Sequence, residues 1–292
     1  MDPALVISIA IIISFILIVR NRTSVSPVPM IINRWLRWAI FATGGALILN
    51  RFGISEQPYW VLVGVLAVVW LMGETLYNWM AIKALSESPL PLFPRYKASS
   101  SGEEWPTLPA YLTLREDIRR DGFSHLQSLR AEITEGIAIR TSIFQTQNNE
   151  MRLQVTFLPQ SNGALSMCMS LSSLTADGHR YVTDNLYLPY AGFYPEEWHV
   201  ERNPWRRSLQ GIMHRHNERL KKNTEHLVPW TTDPLEDLNA QQSMLERLNV
   251  ELGFLTPHAN REENGKVTSP GRYRIWKEIW TLNYFGCSAR YE

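Results

Sequence analysis

Three dense apolar runs lie within the first 82 residues, and they constrain the fold more than any other feature of the sequence. They cover residues 4–19, 38–49 and 59–82. Asp2, rather than a basic residue, precedes the first run, so we interpret this run as a retained anchor and not as a signal peptide. An α-helix needs about 20 mostly apolar residues to cross a bilayer. The sequence therefore predicts a transmembrane domain over residues 1–84, with spans at about residues 4–20, 32–50 and 59–82.

The basic residues between these runs predict the orientation of the chain. Residues 20–37 carry four arginines and no acidic residue, whereas residues 50–58 carry one arginine and one glutamate. Three further basic residues follow the third run, between positions 83 and 97. Cytoplasmic loops are enriched in lysine and arginine. We therefore expect an integral protein of the plasma membrane with its N-terminus outside and its C-terminal part in the cytoplasm.

Glu74 is the one acidic residue within the third run. An ionisable side chain inside a transmembrane helix is costly and points to function by default. Glu74 nevertheless lies in the cytoplasmic third of its predicted helix, where it can reach the interface or pair with an arginine of the first loop. This structural interpretation is preferred. A transport or proton-handling role is the alternative, and an unimpaired Glu74→Gln variant would exclude it.

The rest of the chain reads as a linker followed by a folded domain. Residues 85–108 are rich in proline and serine and predict an extended linker before a domain of residues 109–292. Apolar and polar residues alternate over residues 151–157 and 165–171, which is the period of a half-buried strand. About four such segments predict a roughly four-stranded antiparallel sheet, and helices follow, one of them capped at Asp233. Strands followed by helices predict a cytoplasmic domain of the α+β class.

Two histidines, His214 and His216, raise the question of a metal or catalytic site. On a helix they point about 200° apart, whereas a helical metal pair is spaced four residues apart. His216 falls within the apolar stripe and is expected to be buried and hydrogen-bonded, and His214 is expected on the surface. Cys168 and Cys287 form no metal-binding pattern and are expected to be reduced. We predict no catalytic residue, no metal site and no cofactor.

Aromatic residues cluster in two parts of the predicted cytoplasmic domain. The segment of residues 187–205 is expected to cover the sheet, with binding of a partner as the alternative. The C-terminal helix, at about residues 270–285, is expected to be buried in its own domain, with docking to a partner or membrane as the alternative. The candidate residues for a partner or membrane surface are Trp198, Trp205, Tyr273, Trp276, Trp280 and Tyr284.

Composition and motifs narrow the classes of function. The formal net charge of +1 argues against a nucleic-acid-binding protein. The sequence lacks the short motifs of serine hydrolases, kinases and dinucleotide-binding enzymes, so an enzyme is not favoured. The leading hypothesis is a non-enzymatic membrane subunit that contacts the lipid bilayer and other membrane protein subunits and anchors or organises their assembly. The alternative is a membrane-anchored enzyme or ligand-sensing domain, whose site would be a pocket lined by ionisable residues distant in sequence.

Overall fold

The structure is a computed structural model that describes residues 3–24, 26–99, 105–160, 165–222 and 226–288. Its α-helices are α1 (Pro3–Ser24), α2 (Pro27–Arg51), α3 (Tyr59–Glu87), α4 (Pro109–Arg120), α5 (Leu209–Lys222), α6 (Pro234–Glu251), α7 (Arg261–Asn264) and α8 (Ser269–Phe285). Its strands are β1 (Lys97–Ala98), β2 (Phe123–Thr134), β3 (Ile137–Thr146), β4 (Met151–Pro159), β5 (Leu165–Thr175), β6 (Arg180–Asp184), β7 (Trp198–Arg202) and β8 (Leu227–Val228). Together they form the mixed α+β fold that the sequence predicts. We call residues 97–285 the sheet domain.

Two of the described helices, α1 and α3, are long and apolar enough to cross a membrane. Only 6% of the apolar stretch of each is buried within the protein, so their apolar side chains face outward. The prediction of three such helices is corrected to two, because Asn33, Arg34 and Arg37 lower the hydropathy of the first half of α2. The helix itself forms as a 25-residue segment, and it packs against both α1 and α3.

Two adjacent glycines bring α2 close to both of its neighbours. A Cβ atom on Gly45 would lie 2.8 Å from Cδ1 of Leu66 in α3. On Gly44, a Cβ atom would lie 3.6 Å from Cγ2 of Ile7 in α1. Small residues permit such close approach between helices that lipid surrounds. The glycine pair therefore provides the room for α2 to pack closely on both neighbouring helices.

The described strands form one eight-stranded sheet, which corrects the prediction of roughly four strands. The order is β1-β2-β3-β4-β5-β6-β7, with β8 paired to β5, and every pair is antiparallel except β6 with β7. The predicted segments correspond to β3, β4, β5 and β6. Sequence periodicity misses β2 because register shifts between His125 and Gln127 and between Glu132 and Thr134 break its alternation. Strands β1 and β8 hold only two residues each.

Helices cover both faces of this sheet. Ile118 of α4 and Ile212 of α5 pack on one face, against strand residues such as Phe144. On the other face, Leu238 of α6 packs against a cluster that includes Ile143. The sheet therefore contributes to apolar packing on both sides. The last helix, α8, packs against α2 and α3.

Described residues of the predicted linker pack into the same body. Phe93 and Tyr96 are buried, and β1 pairs with β2. Asn239 of α6 accepts a hydrogen bond from the backbone N–H of Tyr96 at 2.8 Å and donates one to its carbonyl oxygen at 3.0 Å. Residues 100–104 of the predicted linker lie outside the described residues.

The sheet domain is attached directly to the end of α3. The carbonyl oxygen of Ser86 accepts a hydrogen bond from the backbone N–H of Lys266 at 2.8 Å. The Ser86 hydroxyl oxygen accepts another from the backbone N–H of Val267 at 3.0 Å. Close by, the rings of Trp79 in α3 and Trp276 in α8 stack with centroids 6.5 Å apart. These contacts place α8 alongside the N-terminal helices.

Candidate functional site at the junction of the N-terminal helices and the sheet domain

Glu74 lies where α3 meets both α2 and the last helix of the chain. Its carboxylate forms an ion pair with Arg34 of α2 and accepts a hydrogen bond from Nε1 of Trp70 at 3.2 Å. It also accepts a hydrogen bond from the hydroxyl of Tyr284 in α8. The Glu74 side chain is only 11% exposed, so these three donors compensate a charge largely removed from solvent. The arginine is one of the first-loop arginines with which the sequence predicted Glu74 could pair.

Tyr284 is held in place from several sides. Nε1 of Trp35 donates a hydrogen bond to the Tyr284 carbonyl oxygen at 2.8 Å. Trp280 stacks on the Tyr284 ring with centroids 4.8 Å apart, and Cζ of Arg34 lies 5.8 Å from the same ring centroid. Burial, followed by the hydrogen bond to Glu74, raises the pKa of Tyr284 to about 12. The hydroxyl therefore remains protonated and available as a donor at neutral pH.

The local sequence explains why α8 ends at this site. Thr268 caps its beginning, with a side-chain oxygen that accepts a hydrogen bond from the N–H of Gly271 at 3.1 Å. Gly286 ends it in the left-handed conformation, at φ +64°, which glycine adopts without steric cost. Nε1 of Trp205 donates to the carbonyl oxygen of Phe285 at 3.2 Å. One of the carbonyl groups left open at a helix end thereby gains a partner.

Four of the six candidate surface residues form an aromatic ladder along α8. Trp276 stacks on Trp79 of α3, and Trp280 and Tyr284 continue the ladder toward α2. Tyr273 stacks on Trp276 at 5.6 Å but is 55% exposed. The inner part of the ladder thus packs within the same chain. A partner or membrane surface on its outer part remains a prediction.

The other two candidates lie apart from this ladder. Trp198 in β7 stacks with Tyr194 at 6.3 Å and lies 4.9 Å from the guanidinium carbon of Arg180. Trp205 covers the end of α8. Around them, the segment of residues 187–205 packs on a cluster of apolar residues from α3, α6 and α8. Of the residues in this cluster only Trp198 belongs to a strand, so the segment packs mainly on helices, whereas the sequence predicted a cover on the sheet.

A cavity of about 840 Å³ opens beside Glu74, among α1, α2 and α3. The residues of α2 that line the cavity recur at intervals of three and four, so they share one face of the helix, which we call the floor of the cavity. The floor residues are Met30, Asn33, Arg34, Arg37 and Phe41. Residues of α1 and α3 form the side walls, and Tyr187 of the sheet domain completes the lining.

The described residues around this cavity carry an excess of positive charge. They include two arginines, Arg34 and Arg37, and one acidic residue, Glu74. Arg34 pairs with that glutamate. Within the described part of the chain Arg37 forms no ion pair, and its guanidinium carbon lies 5.8 Å from the ring centroid of Trp70. The cavity can therefore accept an anionic group without first breaking an ion pair of Arg37.

The two histidines form no site. His216 is fully buried, with Nδ1 3.0 Å from Oγ1 of Thr183 and Nε2 3.1 Å from Oγ of Ser173. Burial, followed by the nearby charge of Arg219, lowers the pKa of His216 to about 3, so the ring is neutral. His214 is exposed. The predictions of a buried, hydrogen-bonded His216 and a surface His214 are confirmed.

The two cysteines are both free thiols. Cys168 is buried in β5, although the alternation of the strand assigns it to a polar-looking face. The difference arises because other parts of the chain, Tyr96 of the predicted linker among them, pack on this face of the sheet. Burial raises the pKa of the Cys168 thiol, which disfavours the nucleophilic thiolate. Cys287 is exposed just beyond α8.

Glu74 and Tyr284 are each candidates from the sequence, but no sequence pattern indicates their contact. Arg34 and Arg37 belong to the basic first loop of the sequence, and nothing in their spacing alone indicates a cavity. The polar part of the floor could be predicted from the sequence, because Asn33, Arg34 and Arg37 recur at helical spacing. Trp70, four residues before Glu74, was likewise predictable as its neighbour on the same helix face.

The described residues contain no group of three or more histidine, cysteine, aspartate or glutamate side chains that could hold a metal ion. At the junction around Glu74 and in the cavity beside it, charged and aromatic residues from the N-terminal helices and the sheet domain meet. The chain matches no protein-family model, no curated protein and no solved structure, so its function is inferred from this junction and the surrounding fold.

Proposed function

We propose that this chain is a non-enzymatic integral membrane subunit that anchors or organises a larger membrane protein assembly. The contact between Tyr284 and Glu74 is the observation that carries the proposal. It joins the last helix of the sheet domain to α3, and the contacts of Ser86 and Trp79 join the two at further points. A domain fastened in this way presents its surface at a fixed orientation to the bilayer, as a scaffold requires.

The outward-facing apolar side chains support insertion into a bilayer. Phe15 of α1 is 66% exposed, and Trp60 and Met72 of α3 are 75% and 67% exposed. Leaving one large apolar side chain in water rather than burying it costs about 1.5–3 kcal/mol. Although α2 is less apolar than α1 and α3, it packs against both of them. We therefore propose that it lies across the bilayer between them, with Arg34 and Arg37 near headgroup level, where long basic side chains are tolerated.

We propose that the sheet domain lies in the cytoplasm. Trp35, near the beginning of α2, and Ser86, at the end of α3, both contact it. The loop between α1 and α2 therefore shares its side of the helices. Residues 20–37 bring four arginines to that side, which favours the cytoplasm by the positive-inside rule.

The exposed thiol of Cys287 allows a test of orientation in the natural chain. A membrane-impermeant maleimide is expected to label Cys287 in lysed cells but not in intact cells. Cys168 is expected to stay unlabelled in the folded protein, because it is buried. Gln57→Cys, placed in the loop between α2 and α3 of a Cys287→Ser chain, is the positive control for outside labelling. Labelling of Cys287 in intact cells would contradict the orientation.

The assembly role is tested by the size of the protein in mild detergent. The natural chain is expected to elute well above the size of one 33.7 kDa chain with its detergent. The same sample after dissociation in a harsh detergent provides the reference size of the single chain. Elution as a lone monomer in mild detergent would count against a subunit of an assembly.

The cavity beside Glu74 favours a second candidate function, that of a ligand-sensing membrane protein. Small-molecule sites commonly enclose about 300–1,000 Å³, and this cavity of about 840 Å³ falls within that range. A ligand bound there would touch residues connected to the sheet domain through Tyr284. A bound ligand is expected to raise the thermal unfolding temperature of the natural chain. No such rise with any acidic amphiphile would count against this candidate.

A further inference from the structure

We infer that the cavity beside Glu74 binds one anionic phospholipid, with its phosphate on Arg37 and an acyl chain between α1 and α3. The inference rests on the membrane insertion proposed above and adds a specific ligand to it. Three features carry it: the arginines on the floor, the charge balance of the lining, and the apolar walls.

On the floor of the cavity, Arg34 and Arg37 lie between two apolar residues, Met30 and Phe41. Met30, Arg34, Arg37 and Phe41 follow one another at intervals of four, three and four residues, so they stack along one face of α2. Met30 lies toward the sheet domain, and Phe41 lies deeper along the helix. A ligand that matches this face has a charged group near the arginines and an apolar part that extends toward Phe41.

Arg37 is the residue whose guanidinium group would bind the phosphate. It forms no ion pair with any described residue, and the ring of Trp70 lies 5.8 Å from its guanidinium carbon. Arg34 already engages Glu74 and is the weaker candidate. A guanidinium group can donate two parallel hydrogen bonds to one phosphate, which gives orientation as well as attraction. Phosphate binding would therefore supply the anionic partner that Arg37 lacks among the described side chains.

Two amide side chains add neutral donors to the lining. Oδ1 of Asn33 accepts a hydrogen bond from the Ser14 hydroxyl at 2.6 Å. Oδ1 of Asn21 accepts one from the backbone N–H of Ser26 at 2.8 Å. Since both oxygens are engaged as acceptors, the NH₂ groups are what these side chains can offer to headgroup oxygens.

The apolar walls distinguish a lipid from a free anion. Leu17 and Ile18 of α1 and Val69 of α3 line the cavity together with Phe41. Inorganic phosphate would leave this part of the roughly 840 Å³ unfilled, whereas a phospholipid would place acyl carbons against these residues. Basic pockets between helices on the cytoplasmic side of a membrane suit anionic lipid headgroups in general.

The full chain in nanodiscs tests the inference. The discs contain phosphatidylcholine with or without phosphatidylglycerol, and native mass spectrometry counts the lipids retained by each released chain. One phosphatidylglycerol per chain is expected. Arg37→Gln is expected to weaken its retention about tenfold or more, because a charge-assisted hydrogen bond is lost. Arg51→Gln, at the far end of α2, is the matched control and is expected to bind like the natural chain.

A second pair of variants tests the cavity without touching its charges. Gly73 lines the cavity, and a Cβ atom there would meet no atom within 4 Å. Gly73→Leu is therefore expected to fill cavity space, keep the fold and lower phosphatidylglycerol retention. Gly64 of the same helix also has open space around it but is not among the residues that line the cavity. Gly64→Leu is expected to retain phosphatidylglycerol at the natural level.

Three results would overturn the inference. The first is equal phosphatidylglycerol retention by Arg37→Gln and Arg51→Gln together with equal retention by the two glycine variants. The second is no preference for phosphatidylglycerol over phosphatidylcholine. The third is saturation of the site by inorganic phosphate in pure phosphatidylcholine discs, with the same dependence on Arg37, because the ligand would then be a free anion. A chain that does not enter the discs at all would instead contradict the proposed membrane location.

Discussion

The hydroxyl of Tyr284 donates a hydrogen bond to the carboxylate of Glu74, 210 positions earlier in the chain. This contact connects the end of α8 with the polar position of α3. Glu74 also pairs with Arg34, so α2, α3 and α8 meet at one carboxylate. The attachment of the sheet domain therefore depends on a charged group largely removed from solvent, and this makes it sensitive to single substitutions.

Tyr284→Phe removes the hydroxyl and leaves the aromatic packing. We expect a loss of about 2 kcal/mol in the free energy of unfolding, since a hydrogen bond to a charged group is lost. Faster amide hydrogen exchange in the last turns of α8 is the local signature, measured by mass spectrometry. Tyr273→Phe, at the exposed end of the ladder, is the control and should leave both quantities unchanged. Unchanged exchange in Tyr284→Phe would contradict the role of the contact.

Arg34 and Glu74 are expected to be energetically coupled. Arg34→Gln leaves the Glu74 carboxylate without its cation, and Glu74→Gln leaves Arg34 without its anion. The double variant removes both charges, so its loss of stability should be smaller than the sum of the single losses by about 1–3 kcal/mol. Thermal unfolding of the four chains in one detergent measures this coupling. Additive losses would mean that the pair contributes no specific interaction.

Gly45→Leu is expected to disturb the packing of α2 on α3. Its Cβ atom would lie 2.8 Å from Leu66, and the remainder of a leucine side chain would have to displace that neighbour. Overpacking of this kind costs about 1–3 kcal/mol, which thermal unfolding in detergent measures. Gly64→Leu, where open space surrounds the Cβ position, is expected to leave the unfolding temperature unchanged or to raise it. Equal behaviour of the two variants would refute close packing at Gly45.

His216 is expected to make stability depend on pH. Its folded-state pKa of about 3 lies below the usual value of 6.5, so the unfolded state binds the proton first as the pH falls. The contribution of the neutral His216 ring to the free energy of unfolding is thus fully present above pH 6.5. It decreases toward pH 3 by up to about 1.4 kcal/mol per pH unit. Between pH 7.5 and pH 5, the pH dependence of the unfolding free energy should differ between the natural chain and His216→Gln by the uptake of about one proton. His214→Gln, at an exposed position, should keep the natural slope.

Asn249 is expected to hold the aromatic cover on the sheet domain. Its side chain accepts a hydrogen bond from the N–H of Phe193 at 2.7 Å and donates one to its carbonyl oxygen at 3.0 Å. Asn249→Ala leaves both groups without that partner, so we expect a loss of about 3 kcal/mol. Near-ultraviolet circular dichroism should report the loosened aromatic segment. Arg247→Ala, an exposed change on the same helix, should affect neither stability nor the spectrum.

The sequence alone predicts those elements whose signals are local. The apolar lengths of α1 and α3 indicate helices that can span a membrane, and the period of two identifies β4 and β5. Asp233 begins α6 as predicted, because a short acidic side chain next to a proline satisfies the first N–H groups of a helix. The face of His216 likewise follows from helical geometry. Each of these signals lies within a few neighbouring residues.

The tertiary structure alone decided the rest, because it depends on contacts between distant segments. Register shifts in β2 hide its alternation, and two-residue strands exist only through their partners. The contact between Tyr284 and Glu74 forms because α8 packs against α2 and α3, and no local pattern records that packing. The cavity beside it arises from the same packing of helices around α2. The sequence thus determines which residues are polar within the apolar helices. Which side chains contact those polar residues depends on the tertiary packing of α2, α3 and α8.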